Sequence, residues 1–380
     1  SQKQPENTME KEVIYPKHQK SNETTRINQK QPKKSQESKK DERLKQSVVF
    51  NRAQSPQKRL YLPTLTQKVV KVPDFEPKIF EAAKHNFTQT NDFKSFARVQ
   101  SSLKKLDQQC KNLANLDGLL LLELVQIPTH AFYFNTQLKV IIAPKVNVLV
   151  PYMVSCCQNL EVLQMQSVTI NKGVLRISKG FSHIPERCFF FSDKVTHILL
   201  SDVETIADEC FHSHHGLVFV DGPKVQTLGN QCFASCEKLT NMNMPNLGKF
   251  GYYAFNQNEK LKRFVALSSN PMFRMLINEF NGCKALQFVI INGVEYVGQN
   301  SFQGCLHLRY AKFVNLTEIG EHGFEGCVKL RFVKSQKLNI VKQRAFAGCV
   351  ELRQVGGPLG TVAVDAFQKC EKYQVAAVIK

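Results

Sequence analysis

Three consecutive stretches carry one pattern: Val297-Gly-Gln-Asn-Ser-Phe302-Gln-Gly-Cys305-Leu-His-Leu308, Ile319-Gly-Glu-His-Gly-Phe324-Glu-Gly-Cys327-Val-Lys-Leu330 and Val341-Lys-Gln-Arg-Ala-Phe346-Ala-Gly-Cys349-Val-Glu-Leu352. Phe, Cys and Leu recur at a fixed step of 22 residues. A period of roughly 20 to 29 residues, with leucines, a small-residue turn and one short strand per unit, marks a solenoid of stacked repeats. A single unit of that size cannot bury its apolar face alone, so it is the stack that folds.

Outward from this stretch the aromatic anchor can be followed through Phe132, Val154, Phe189, Phe211, Phe233, Phe255, Phe280, Phe302, Phe324, Phe346 and Phe367. The steps are 22, 35, 22, 22, 22, 25, 22, 22, 22 and 21 residues. With a degenerate unit around Cys110, Leu113 and Leu116, the count is eleven or twelve repeats. The 35-residue step, around Ser167 to Gly180, implies a broken or enlarged unit, and the 25-residue step, around Ser268-Ser269-Asn270-Pro271, implies a bulging loop. Within a unit, the leucine and the residues after it, as in Leu330-Arg331-Phe332-Val333, are expected to form the strand of a parallel sheet. Gly320, after Ile319, is expected to let the chain turn, and the aromatic to plug the interior from the opposite wall. Truncating one such ring should cost about 3 to 5 kcal/mol, because the stack cannot collapse around the void.

The 380 residues carry a formal charge of +19 and no tryptophan. Residues 1–100 hold 21 Lys and Arg against 11 Asp and Glu, so +10 of the excess lies there and +9 in the remainder. A polycation prefers an acidic partner: a protein surface, nucleic acid or an anionic membrane face. No apolar run approaches the length of a membrane span, and Ser1-Gln-Lys-Gln-Pro-Glu has no apolar signal core. The expected location is therefore the cytoplasm, with its cytoskeleton. Of the 12 cysteines, Cys110, Cys157, Cys236, Cys283, Cys305, Cys327, Cys349 and Cys370 precede the repeat leucine by three residues. Cys188, Cys210 and Cys232 stand just before the anchor, which leaves Cys156 over. Read this way, they are small buried hydrophobes, without disulfide or metal.

Residues 1–72 contain no glycine and few apolar side chains, a composition that cannot offset its own ordering entropy. This basic arm is expected to be disordered alone and extended on a partner. Its stretch from Arg43 to Val72 includes Arg43, Lys45, Arg52, Lys58, Arg59, Lys68 and Lys71 and no acidic residue, interleaved with apolar beads such as Val48, Phe50, Leu60 and Tyr61. Ser55-Pro56 within it is a proline-directed phosphorylation pattern, where added charge would weaken an anion contact. Residues 73–109 show helical spacing, first in Phe75, Ile79, Phe80, Ala83 and Phe87, then in Phe93, Phe96, Val99, Leu103 and Leu106 beyond an Asn91-Asp92 cap. Two helices there would cover the naked first face of a solenoid spanning residues 110–380.

The chain shows no phosphate-cradling glycine loop, no supported nucleophile and base, and no metal-ligand spacing, so neither an enzyme, a small-molecule substrate nor a cofactor is expected. His212, His214 and His215 beside Asp208 and Glu209 form the densest histidine group, yet Phe211 makes the segment an ordinary repeat wall with His214 in the cysteine slot. A sharper signal is the residue after the strand leucine, where Lys262, Arg309, Arg331 and Arg353 share one position. Stacked at the interstrand spacing of about 4.8 Å they repel one another unless something acidic offsets them. Such a ladder is either a binding site for an acidic surface or a solvated strand edge whose stems cover apolar area.

The unit, approximately apolar-Gly-x-x-Ala-Phe-x-x-Cys-x-x-Leu-x-x-Val, resembles the BspA-like, or treponemal-type, leucine-rich repeat, carried also by Phe233-Ala-Ser-Cys236-Glu-Lys-Leu239 and Ala366-Phe367-Gln-Lys-Cys370. The resemblance covers roughly residues 105–380 and implies an α/β leucine-rich-repeat solenoid with its parallel sheet on the concave face, and a binding role. Many relatives in bacteria and anaerobic protists look like surface adhesins. This chain differs in its basic arm. The function expected is an intracellular scaffold tethered to an acidic assembly: first tubulin in microtubules or the axoneme of a flagellated protist, then ribosomal or other RNA, with a surface adhesin as the alternative. Sequons at Asn22, Asn86 and Asn315 suit the adhesin, and the apolar end near Val375-Ala-Ala-Val-Ile379 suits end-to-end self-association.

Overall fold

The computed structural model describes residues 96–98, 117–268 and 273–374. Two units, Ser1–Phe75 and Glu76–Lys380, divide the chain, and the description below concerns the second. The arm, the first expected helix and the apolar end at 375–379 lie outside the described residues.

Leu308-Arg-Tyr-Ala-Lys-Phe313 shows why each unit makes a strand. Leu308, Ala311 and Phe313 are buried while Arg309 and Lys312 are exposed, the near-alternation a half-buried strand requires. Copies of this strand build the main sheet. Nine strands run from Phe96–Arg98 to Asn241–Asn243, and five more from Arg263–Ala266 to Gln354–Val355. Regular partners are one repeat apart, as in Phe219↔Asn241 and Tyr310↔Phe332. Between the two sheets a long hydrogen bond, Lys262 N to Thr240 O at 3.5 Å, carries the ladder over. A second, narrower wall is made of parallel two- to four-residue strands, four from His183–Ile184 to Lys249–Phe250 and five from Phe273–Arg274 to Thr361–Val362.

The anchor rings fill the interior. From Phe189 to Phe367 nine phenylalanines stack face to face, with neighbouring centroids 4.9 to 6.2 Å apart and planes within 18°. Tyr373 closes the column, 4.3 Å from Phe367. Two residues before and two after almost every anchor the backbone is left-handed, as at His322 (φ 56°) and Gly326 (φ 72°) around Phe324. Gly304, Gly326 and Gly348 adopt that conformation without a Cβ clash, whereas Phe134, Phe191 and Ser213 hold it at the same point of other units. Gly320 has no such requirement; a Cβ there would lie 2.6 Å from the Tyr296 hydroxyl and 3.1 Å from Gln299 N. Its smallness serves close packing between repeats, not the turn itself.

The cysteine slot does more than fill space. Cys157, Cys236, Cys283, Cys305, Cys327, Cys349 and Cys370 each place Sγ 3.0 to 3.2 Å from the carbonyl oxygen of the preceding repeat's anchor, to which the thiol donates. Asn258 Nδ2 donates to Phe233 O at 3.0 Å, and His214 Nε2 bonds Phe189 O from the same slot. The position needs a donor with reach. Ser192, one atom type smaller, has a buried Oγ with no partner.

The 35-residue step is an enlarged unit. Its extra residues form a hairpin, Val168–Asn171 and Val174–Ile177, inserted edgewise into the main sheet. Lys172 (φ 48°) and Gly173 (φ 75°) make the tight turn whose backbone twist suits a two-residue hairpin. The first of these strands runs antiparallel to its neighbours and the second restores the parallel ladder against His197–Leu200. The bulge expected at the 25-residue step falls mostly on residues 269–272, outside the described residues; the narrow wall is divided there. The expected second helix is corrected where it can be seen: Phe96–Arg98 is a strand paired in parallel with Gly118–Leu120. Phe96 and Gly118 lie one repeat apart, so pairing with an existing sheet edge outweighs the weak helical periodicity, and the solenoid begins before residue 110. Among the described residues there is no helix.

Replacing Phe324 by Ala should lower unfolding stability by about 3 to 5 kcal/mol. Cys327→Ala should cost about 1 to 3 kcal/mol, since it leaves the buried Phe302 carbonyl without its donor, and Cys327→Ser should cost less than Cys327→Ala, its shorter hydroxyl making a longer bond. Denaturant melts check both; an alanine variant as stable as the parent would remove the hydrogen-bonding role of the slot.

Candidate binding face on the main sheet

Side chains that point away from the core on the C-terminal five strands sort into three rows. Arg309, Arg331 and Arg353 occupy successive units at the strand start, joined by Arg331 N to Arg309 O (3.0 Å) and Arg353 N to Arg331 O (2.9 Å). Lys262 shares the row but is separated from Arg309 by Gln287, whose unit has no cation there. One residue further, Arg263, Phe288, Tyr310, Phe332 and Gln354 stand in direct register. Two residues beyond that, Ile290, Lys312 and Lys334 are also in register. The sequence reading found the arginine row and missed the rings, although the same tabulation one position later lines up Phe288, Tyr310 and Phe332.

The charges in these rows are mostly uncompensated. Arg331 Nε donates to Glu351 Oε2 at 2.8 Å, and this arginine holds the Glu351 carboxyl below the usual range. Among the described residues Lys262, Arg309, Arg353, Lys312 and Lys334 have no ion pair. Arg263 lies over the Phe288 ring (5.6 Å to its centroid) and Lys334 over the Tyr310 ring (5.9 Å). In the N-terminal half the equivalent row is neutralised: Lys139 meets Asp117 at 3.4 Å. Arg43, Lys45, Arg52, Lys58, Arg59, Lys68 and Lys71 lie outside the described residues.

Other candidates for chemistry are spent on structure. The three histidines diverge: His214 is buried under Phe189 O, His212 stacks on Phe190 at 5.2 Å, and His215 meets the edge of Phe191 at 5.7 Å. Burial lowers the His214 pKa to about 4, so it is neutral in the fold. Among the described residues no group of three His, Cys, Asp or Glu is disposed to hold a metal. Burial pushes the Cys157, Cys236 and Cys283 thiols up to about 12, which keeps them protonated and unreactive. Among the described residues no helix is long and apolar enough to cross a membrane.

The chain matches the family described as BspA type leucine rich repeat region in six copies, over residues 71–180, 182–305 and 270–374. Solved structures similar to it include a leucine-rich repeat protein from Bacteroides ovatus, at 19% identity and TM-score 0.44, covering 73% of this chain and 85% of that one. Another is the T. pallidum leucine-rich repeat protein, at 21% identity and TM-score 0.34, covering 47% of this chain and 78% of that one. No curated protein is significantly similar. Family membership rests on the repeat match.

One buried acid is left. Glu279 stands just before the anchor Phe280, fully shielded from solvent, accepting Ser301 Oγ at 2.7 Å and the Leu276 N–H. Burial raises its pKa from 4.5 to about 7. The folded chain therefore binds this proton more tightly than the unfolded chain. Its contribution is full below about 4.5 and is lost as pH climbs through about 7. Between those values stability should fall by an amount on the order of 3 kcal/mol, and Glu279→Gln should flatten that part of the profile. Thermal melts from pH 4.5 to 8 check it; an unchanged profile in the variant would assign the dependence elsewhere.

Proposed function

The chain belongs to the BspA-type leucine-rich-repeat family, and from that premise we propose that it is a non-enzymatic protein-binding scaffold whose main sheet takes an acidic partner. Leucine-rich repeats form a protein-interaction fold. The observation that carries the acidic partner is the row of Arg309, Arg331 and Arg353, with Lys312 and Lys334 beside it, offset by one carboxylate only among the described residues. Exposed pairs in water contribute little, so five cations kept this close are better explained by recognition and by steering of an anion toward the sheet than by stability.

The arm supports the same reading with seven further cations in Arg43, Lys45, Arg52, Lys58, Arg59, Lys68 and Lys71. In this proposal residues 1–72 lie along the partner and the scaffold works in the cytoplasm. A polymer with a continuous acidic surface, of which the microtubule is the leading case, suits two separate cationic contacts on one chain. The family resemblance favours a second reading, a surface adhesin, in which the same sheet meets a protein outside the cell.

Pelleting with microtubules separates them. Full-length protein should co-sediment at moderate salt and dissociate as salt rises. Arg309→Glu with Arg353→Glu, and separately the seven arm cations changed to Gln, should each weaken binding by about tenfold or more. No pelleting at any salt would sink the microtubule assignment, and label on the protein after surface labelling of intact cells would support the adhesin.

A further inference from the structure

Resting on the reading of the main sheet as the binding face, we propose that its ligand is an extended acidic peptide segment in which carboxylates are interspersed with aromatic or aliphatic side chains. A purely acidic ligand would need only the cations. Here the cations frame an apolar seam. Phe288, Tyr310 and Phe332 pair directly across three strands, each half-buried, so the rings repeat at the interstrand spacing of about 4.8 Å. Arg309, Arg331 and Arg353 line one side of the seam, and Lys312 and Lys334 the other. Arginine and lysine start and end about three residues apart along the strand, near 10 Å, which is the width of an extended chain with its side chains.

Electrostatics and packing select the same ligand. Within each row like charges sit about one strand spacing apart and oppose folding, with Glu351 the single carboxylate in contact among the described residues. Carboxylates arriving on both sides relieve both rows. The seam between them loses water against an apolar side chain, and each buried ring or branched chain contributes through the area it covers. The seam ends where the chemistry does: in the N-terminal half of the sheet, Asn243 Nδ2 donates to Asp221 Oδ1 at 2.6 Å and no cation row flanks Phe219.

Single-stranded nucleic acid also combines anions with rings, but it needs open aromatic faces for its bases. Two of the three faces are taken, Phe288 by Arg263 and Tyr310 by Lys334. What remains open is the Phe332 ring with the edges and flanks of the other two, which suit aliphatic and aromatic side chains of a peptide better than a run of stacked bases.

The test is fluorescence anisotropy of the full chain with four short labelled probes: a Glu/Phe peptide, a Glu/Gly peptide of equal charge, a Lys/Phe peptide and oligouridine. The Glu/Phe peptide should bind about tenfold more tightly than Glu/Gly, and Lys/Phe should not bind. Tyr310→Ser with Phe332→Ser, at half-buried strand positions on the outward side, should abolish the preference for Glu/Phe and leave Glu/Gly binding as it was. Arg309→Glu with Arg353→Glu should weaken both acidic peptides, with melting curves showing both variants folded. Equal binding of Glu/Phe and Glu/Gly, or a preference untouched by the ring variants, overturns the seam while the acidic-partner reading stands. Failure of both acidic peptides overturns that reading itself, and tighter binding of oligouridine transfers the face to nucleic acid.

Discussion

Each repeat has two needs that only its neighbour meets: a ring for its anchor ring and a donor for the anchor's carbonyl. Phe324 stacks on Phe302 and Phe346 at 4.9 and 5.3 Å, and the Phe302 carbonyl it covers is bonded by Cys327 of its own unit. A buried carbonyl without a donor costs free energy, and so does a ring facing a void. Stability is therefore a property of interfaces, summed along the stack. This explains why the slot tolerates Cys, Asn and His, which share little except a donor of sufficient length.

Because the interior is occupied by such recurring contacts, variation is free only on the outward faces. The units that match best in their cores differ outward: Phe288, Tyr310 and Phe332 follow one another on the main sheet, while His197, Phe219 and Asn241 hold the same row in earlier units. Arg309 and Arg353 stand in exposed strand positions whose backbone is already used by the ladder. Neither guanidinium group has an ion pair among the described residues. The cations around the ring seam, of which only Arg331 has an ion pair among the described residues, are what we propose as the binding site.

The irregular steps show how a solenoid absorbs insertion. Thirteen residues beyond the regular 22 are enough for two short strands and a tight turn, so the hairpin from Val168 to Ile177 joins the sheet and reverses one strand without breaking the stack. Period alone marks where the unit is enlarged. Whether the excess bulges away or pairs is decided by the neighbouring sheet edge, which offers unpaired N–H and C=O groups at no further ordering cost to the core.

Repeat length, anchor register and the burial of Phe302, Cys305 and Leu308 were legible in the residues alone, because a fixed interior permits few side chains at each point. The arginine row was legible for the same reason, as equivalent positions in equivalent units. Three features required the tertiary structure: the strand at Phe96–Arg98, the hairpin and the donor role of the cysteines; the ring row stands in the sequence one position after the arginines. Each depends on which groups from different units meet across space. Local spacing specifies what a unit offers to its neighbours; only the stacked sheet decides which hydrogen bonds remain to be made and which charges remain without a partner.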